Sequence, residues 1–191
     1  MRALLPALVI AATALTPAVA QAPAPSTFDL FRRVCVDTGA DMARAVAAPD
    51  LRGWTSMPFP FPTRIENGRI IDKAIRVKSA GKDNVSIVVV SRGEFNARGK
   101  KIPFLNCTLA VKPGELAPTQ RRVEAWLGFS PMALPKGAIG YHWTERAGVR
   151  TPLRVAKMSD MPPPPAGSRV AAVDLKFEKG TLVVSYTLPR L

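Results

Sequence analysis

The first part of the chain places apolar residues at the spacing of a helix. They recur every three or four positions, at Phe28, Phe31, Val34 and Cys35, so one stripe of this segment faces a core. Ser26 or Thr27 is placed to cap the helix, with Asp29 close to its start. The same reasoning predicts a second short helix over Met42–Ala48, which Pro49 ends.

From residue 75 the pattern changes to the two-residue period of β-strands. Residues 75–78 alternate apolar and basic side chains, which is typical of a half-buried strand. The run Val85–Val90 is apolar on both faces and predicts a central strand. In the following strand four apolar side chains share one face, at Leu105, Cys107, Leu109 and Val111. Three strands are therefore expected before the next turn, at Pro113-Gly114.

A central helix is predicted after this turn. Thr119 is the expected N-cap, and Val123, Trp126 and Leu127 form the buried stripe. Gly128 suits the C-terminal end, because glycine adopts the left-handed conformation that closes many helices.

Two hairpins complete the expected fold, one around Ala147-Gly148 and one around Lys179-Gly180. Their four strands are Ala138–Glu145, Val149–Lys157, Arg169–Glu178 and Thr181–Leu188. The proline-rich stretches Pro58–Pro62 and Met161–Pro165 are expected as an extended loop and a stiff connector. The sum is an α+β fold: a largely antiparallel sheet of about six to seven strands, with N-terminal helices and one central helix.

The extreme N-terminus has the features of a cleavable signal peptide. Arg2 precedes the apolar run Ala3–Leu15, and Ala18-Val19-Ala20 matches the small-x-small pattern cut by signal peptidase. We therefore expect residues 1–20 to be removed, with cleavage after Ala22 as the alternative. Residues 21–26 would be a flexible leader and residues 27–191 a single domain, working in the periplasm or secreted. No later stretch is long and apolar enough to predict a transmembrane helix.

Export changes the interpretation of the two cysteines, Cys35 and Cys107. In an oxidising compartment a disulfide between them is the expected state, with two free thiols as the alternative. His142 is the one histidine of the sequence, so imidazole and thiolate ligands do not suffice for a zinc or copper site. No metal or cofactor is therefore expected. His142 lies in an alternating strand pattern and is predicted as an exposed strand residue.

The chain is strongly basic, with 27 Lys and Arg against 14 Asp and Glu, a net charge of +13. From Asn96 onward there are 15 basic and 6 acidic residues. Such a protein is attracted to anionic surfaces. Lipid headgroups or lipopolysaccharide are therefore the expected partners, or another protein of the envelope. Nucleic acid is not expected, because the basic residues form no dense run and the protein is exported.

Two short motifs resemble enzyme active sites. Asp37-Thr38-Gly39-Ala40 resembles the catalytic loop of retropepsin-like aspartic proteases, which implies that Asp37 pairs with a second copy in a homodimer to activate water. The other interpretation is a polar break between two helices with Gly39 as the turn residue. Ser79-Ala80-Gly81-Lys82 fits the Ser-x-x-Lys pattern of penicillin-binding enzymes, although the surrounding residues predict a hairpin turn.

A broader resemblance involves Phe31–Cys35, the alanine-rich helix, Gly53-Trp54 and Cys107. Together these features resemble small exported periplasmic proteins of alphaproteobacteria, families whose membership implies a compartment and a disulfide rather than an activity. The sequence therefore predicts a non-catalytic, basic, envelope-associated binding domain. The alternative is a retropepsin-like protease that uses Asp37.

Overall fold

The structure is a computed structural model that describes residues 26–58, 64–65, 67–155, 160 and 164–190. The predicted signal peptide lies outside the described residues, as does all of the predicted leader except Ser26. Most of the two proline-rich stretches also lies outside them.

Three α-helices and two intervening helical turns form one layer. The α-helices are α1 (Thr27–Phe31), α2 (Met42–Val46) and α3 (Leu116–Leu127), and the turns are a π-helical turn at Arg32–Val36 and a 3₁₀ turn at Pro49–Leu51. The predicted starts of the first two helices are confirmed. The Ser26 hydroxyl accepts a hydrogen bond from the backbone N–H of Asp29, and the Asp41 carboxylate accepts one from that of Arg44.

The other layer is an antiparallel sheet of ten strands. They are β1 (Thr55–Met57), β2 (Arg64–Ile65), β3 (Gly68–Ser79), β4 (Val85–Ala97), β5 (Lys100–Lys112), β6 (Met132–Ala133), β7 (Ile139–Arg146), β8 (Val149–Leu153), β9 (Arg169–Glu178) and β10 (Thr181–Pro189). The main path runs β1-β3-β4-β5-β10-β9-β7-β6, with β2 beside β3 and β8 beside β7. An α+β fold with a largely antiparallel sheet is confirmed, but the sheet dominates it, and the expected six to seven strands were too few.

The strands that the sequence missed are the three shortest: β1, β2 and β6. They contain two or three residues each. A two-residue period cannot be recognised over so few positions. Each of these segments forms a strand by pairing with a longer neighbour. All seven predicted strands are present. The longest pairing is between β4 and β5, in which Val85 lies opposite Lys112 at one end and Ala97 lies opposite Lys100 at the other.

The predicted start of the central helix was wrong. Helix α3 begins at Leu116 after Glu115, and Thr119 lies inside it, 4% exposed. Pro118 is compatible with this earlier start, because the first helical turn leaves its N–H groups unpaired and loses nothing to a proline. The predicted end is confirmed, with Gly128 at a φ of 79°.

The core lies between the helical layer and one face of the sheet. Helix α1 packs on α3 and β5, while α2 packs on β3 and β4. The aromatic rings of α3 and β7 meet here, with Trp126 and Trp143 edge to face at 6.0 Å. A second, smaller apolar cluster of Phe95, Ala97 and Phe104 lies at the far end of β4 and β5.

A disulfide crosses the core. Cys35 and Cys107 are bonded in the structure, with Cα atoms 5.2 Å apart, and neither cysteine is exposed. The predicted pairing is thus present, and it links the π-helical turn to the middle of β5. The bond spans a sequence separation of 72 residues.

We expect the double substitution Cys35→Ala/Cys107→Ala to lower the free energy of unfolding by about 4 kcal/mol, because the unfolded chain regains the freedom of a long loop. Chemical denaturation of the oxidised wild type and the variant measures the difference. The matched control is the reduced wild type, which should fall close to the variant. If the variant unfolds at the same denaturant concentration as the oxidised protein, the disulfide does not stabilise the fold.

Candidate functional site

The single histidine lies on β7, and its predicted exposure was wrong: His142 is only 2% exposed. The alternation itself is confirmed, since Tyr141 and Trp143 point into the core on the helical side. His142 points to the opposite face of the sheet. The alternating pattern predicts on which face of β7 the His142 side chain lies. Whether that face is buried depends on the rest of the fold. Val170 and Ala172 of β9 share this face and are also buried.

Both nitrogens of the His142 ring have partners. Nδ1 lies 2.9 Å from the backbone carbonyl oxygen of Val155, and Nε2 lies 3.1 Å from Oδ1 of Asp174. A carbonyl and an ionised carboxylate only accept hydrogen bonds, whereas a neutral imidazole carries one N–H. Which of the two nitrogens donates depends on the tautomer of the ring.

Gly140 makes this contact possible. It lies opposite Asp174 in the β7–β9 ladder, on the same face as His142. A Cβ atom at position 140 would lie 2.9 Å from Oδ1 of Asp174 and 2.6 Å from Cδ1 of Leu134. The missing side chain thus leaves the room through which the Asp174 carboxylate reaches the ring.

The Asp174 partner was missed at the sequence level. One signal was present: Asp174 is the only charged residue between Val170 and Leu175, in a run that is otherwise apolar. A lone carboxylate in such a run indicates a polar partner across the sheet. The strand pattern did not identify that partner, because the β7–β9 pairing joins segments that are distant in sequence.

The geometry around His142 is that of a structural pair. Phe129, Met132, Pro152 and Arg154 line a crevice beside the ring that is too narrow for a water molecule. Because Nδ1 and Nε2 are both hydrogen-bonded, neither nitrogen is available to take a proton from a serine, as a catalytic triad requires.

Asp37 lies at the end of the π-helical turn, and its side chain is 53% exposed. The retropepsin resemblance implies a strand before this motif, whereas here the preceding residues are helical. The Asp37 carboxylate lies 3.9 Å from the Arg32 guanidinium, and the Thr38 hydroxyl donates to the carbonyl of Val34. The homodimeric arrangement stays a prediction. Ser79 and Lys82 lie at the β3–β4 turn, where the Ser79 hydroxyl donates to the carbonyl of Gly81.

A charged cluster joins α3 to the sheet around Glu145. This carboxylate is 2.9 Å from Arg169 and 3.5 Å from Arg150, and Arg150 stacks on Trp126 at 4.7 Å. Burial acts to raise the pKa of Glu145. The two arginines and the indole of Trp143 outweigh it and hold that pKa below its ordinary value. The cluster therefore favours the ionised carboxylate.

Charge is distributed unevenly between the two layers. The segments that build the helical layer, 27–54 and 115–128, contain six basic and six acidic residues. Among the residues that the structure describes, the sheet and its loops contain the rest: 11 basic and 3 acidic residues between positions 55 and 114, and 8 basic and 4 acidic residues between positions 129 and 190. The whole positive excess of the described residues therefore belongs to the sheet layer.

Comparison with known proteins identifies no relative: no family model, no curated protein and no solved structure matches the chain. Among the described residues, no group of three or more His, Cys, Asp or Glu is placed to hold a metal ion. No helix in the described part of the chain is both long and apolar enough to cross a bilayer.

We expect Glu145→Gln to lower the free energy of unfolding by about 1 kcal/mol at pH 7, since the arginines lose their charged partner. The folded-state pKa of Glu145 lies below its ordinary value, so this contribution is present above about pH 4.5 and is lost at more acid pH. Chemical denaturation of wild type and variant at pH 7 and at pH 3 measures the loss of stability and its dependence on pH. The control is Glu178→Gln, which removes a more exposed sheet carboxylate paired with one lysine, Lys176, and should change stability less. A stability difference that persists unchanged at pH 3 would show that the charge is not responsible.

Proposed function

We propose that this protein is an exported, non-catalytic domain that binds a phosphate-bearing anionic component of the cell envelope, a lipid headgroup or lipopolysaccharide, through its sheet layer. The observation that carries the proposal is the separation of charge. A helical layer with equal numbers of basic and acidic residues packs on a sheet layer that has all of the positive excess. A molecule built this way turns one preferred side toward an anionic surface.

Ion pairs within the sheet engage the acidic residues of residues 67–114. All three carboxylates between residues 67 and 114 form ion pairs with cations of the same sheet: Asp72 with Arg92, Asp83 with Lys112, and Glu94 with both Arg69 and Lys101. Ten basic residues lie in this segment. The acids are thus already engaged, while exposed cations such as Lys78, Lys82 and Lys100 remain directed to solvent.

The covalent structure supports the export part of the proposal. Disulfides persist in oxidising compartments and are rare in the cytosol. The Cys35–Cys107 bond lies at the centre of the core, where both cysteines are fully buried. The fold thus uses a covalent link that the periplasm or the exterior maintains.

The test is retention on vesicles that contain phosphatidylglycerol. Wild type should bind at low salt and be released at high salt, because screening weakens attraction between exposed charges. We expect the triple variant Lys78→Gln/Lys82→Gln/Lys100→Gln to bind at least about tenfold more weakly, since each lysine near such a surface contributes about 1 kcal/mol.

The matched control removes the same number of charges from the helical layer, as Arg44→Gln/Arg52→Gln/Arg121→Gln. It should retain most of the wild-type affinity. Equal losses in the two triple variants would show that net charge acts without a preferred face. Absence of wild-type binding at low salt would end the proposal.

A further inference from the structure

One edge of the sheet carries exposed apolar side chains. Met57 of β1 is 48% exposed and Ile71 of β3 is 54% exposed, among the four large hydrophobic residues that the described structure leaves in water. The other two, Val149 and Phe177, lie near the hairpin ends of β8 and β9. Single exposed apolar side chains are common on protein surfaces, so the significance of Met57 and Ile71 depends on what else lies on the same edge.

Ile71 is exposed because of a β-bulge. In the β3–β4 ladder, Ile70 pairs with Gly93 and Asp72 pairs with Arg92, so Ile71 is an extra residue on β3 without an opposite partner. A bulge interrupts the alternation of side chains and re-aims the extra one. Ile70 packs with the small apolar cluster of Phe95 and Phe104, whereas Ile71 is directed into solvent.

Strand β3 adds basic residues to this edge. It contains Arg69, Lys73, Arg76 and Lys78 against one acid, Asp72; Arg69 pairs with Glu94 and Asp72 with Arg92, both on the neighbouring strand. Arg76 donates a hydrogen bond to the hydroxyl of Ser56 on β1, on the opposite face of that strand from Met57. The edge formed by β1 and β3, here called the basic edge, therefore combines cations with exposed aliphatic groups.

We propose that the basic edge is the part of the protein that contacts an anionic phospholipid bilayer, with Met57 and Ile71 entering the headgroup region. This inference rests on the proposed function and names its surface. A soluble polyanion satisfies the cations but offers nothing to the two aliphatic side chains. A bilayer satisfies both, because phosphates lie directly above an apolar interior.

The same edge is poorly suited to pair with another β-strand. A bulge and exposed basic side chains are the features by which natural sheets prevent edge-to-edge pairing. The Ile71 bulge interrupts the ladder, and Arg69 and Lys78 are exposed on either side of it. The edge thus disfavours an extended peptide as the occupant and leaves the bilayer as the partner that its chemistry fits.

The experiment compares the full chain on two partners, phosphatidylglycerol vesicles and soluble dextran sulfate. Met57→Gln/Ile71→Thr should bind vesicles roughly tenfold more weakly than wild type, because partial burial of the two side chains is lost. Its binding to dextran sulfate should not change, because no charge is altered. The matched control Val149→Thr/Phe177→Gln removes exposed apolar groups elsewhere and should bind both partners like wild type.

The outcomes separate the two proposals. Equal vesicle binding by the basic-edge variant and wild type would overturn this inference while leaving the proposed function intact. Failure of wild type to bind either partner would remove the proposed function. Hydrogen exchange of the wild type adds a test without substitutions: vesicles should slow exchange at residues 55–57 and 69–73 but not at 147–150. Unchanged exchange at the basic edge would also overturn the inference.

Discussion

The contact between the π-helical turn and the middle of β5 determines how the two layers fit together. Cys35 and Cys107 are fully buried there and covalently linked. Helix α1 and the π-helical turn are only five residues each, too short to be stable alone in water. Their position therefore depends on docking to the sheet, and the disulfide fixes that docking at the point where β5 lies between β4 and β10.

Much of this arrangement was predictable from local patterns. Strand period, helix caps and the pairing of the cysteines are properties of residues close in sequence or of the compartment. The errors have a common cause, which is dependence on distant parts of the chain. β6 exists because it pairs with β7, and His142 is buried because its face of β7 is covered. Thr119 was an attractive cap, but the helix starts earlier, just after the turn that ends β5.

The candidate site was predictable only in part. The sequence shows that the chain is strongly basic. It did not show that the charge divides between layers, since that requires knowing which segments form the sheet. Nor did it show the His142–Asp174 pair, whose members lie 32 positions apart and meet through the space left by Gly140.

The engagement of His142 and the exposure of the basic edge lead to the same functional interpretation. A polar pair whose donors and acceptors are all satisfied contributes specificity to a fold, and gives a substrate no free group to react with. The unsatisfied features of the described molecule are instead on its exterior. They are exposed cations such as Lys78, Lys82 and Lys100, and the exposed apolar side chains of Met57 and of Ile71, which a bulge directs into water. The proposed bilayer partner, anionic at its surface and apolar beneath, would engage both features.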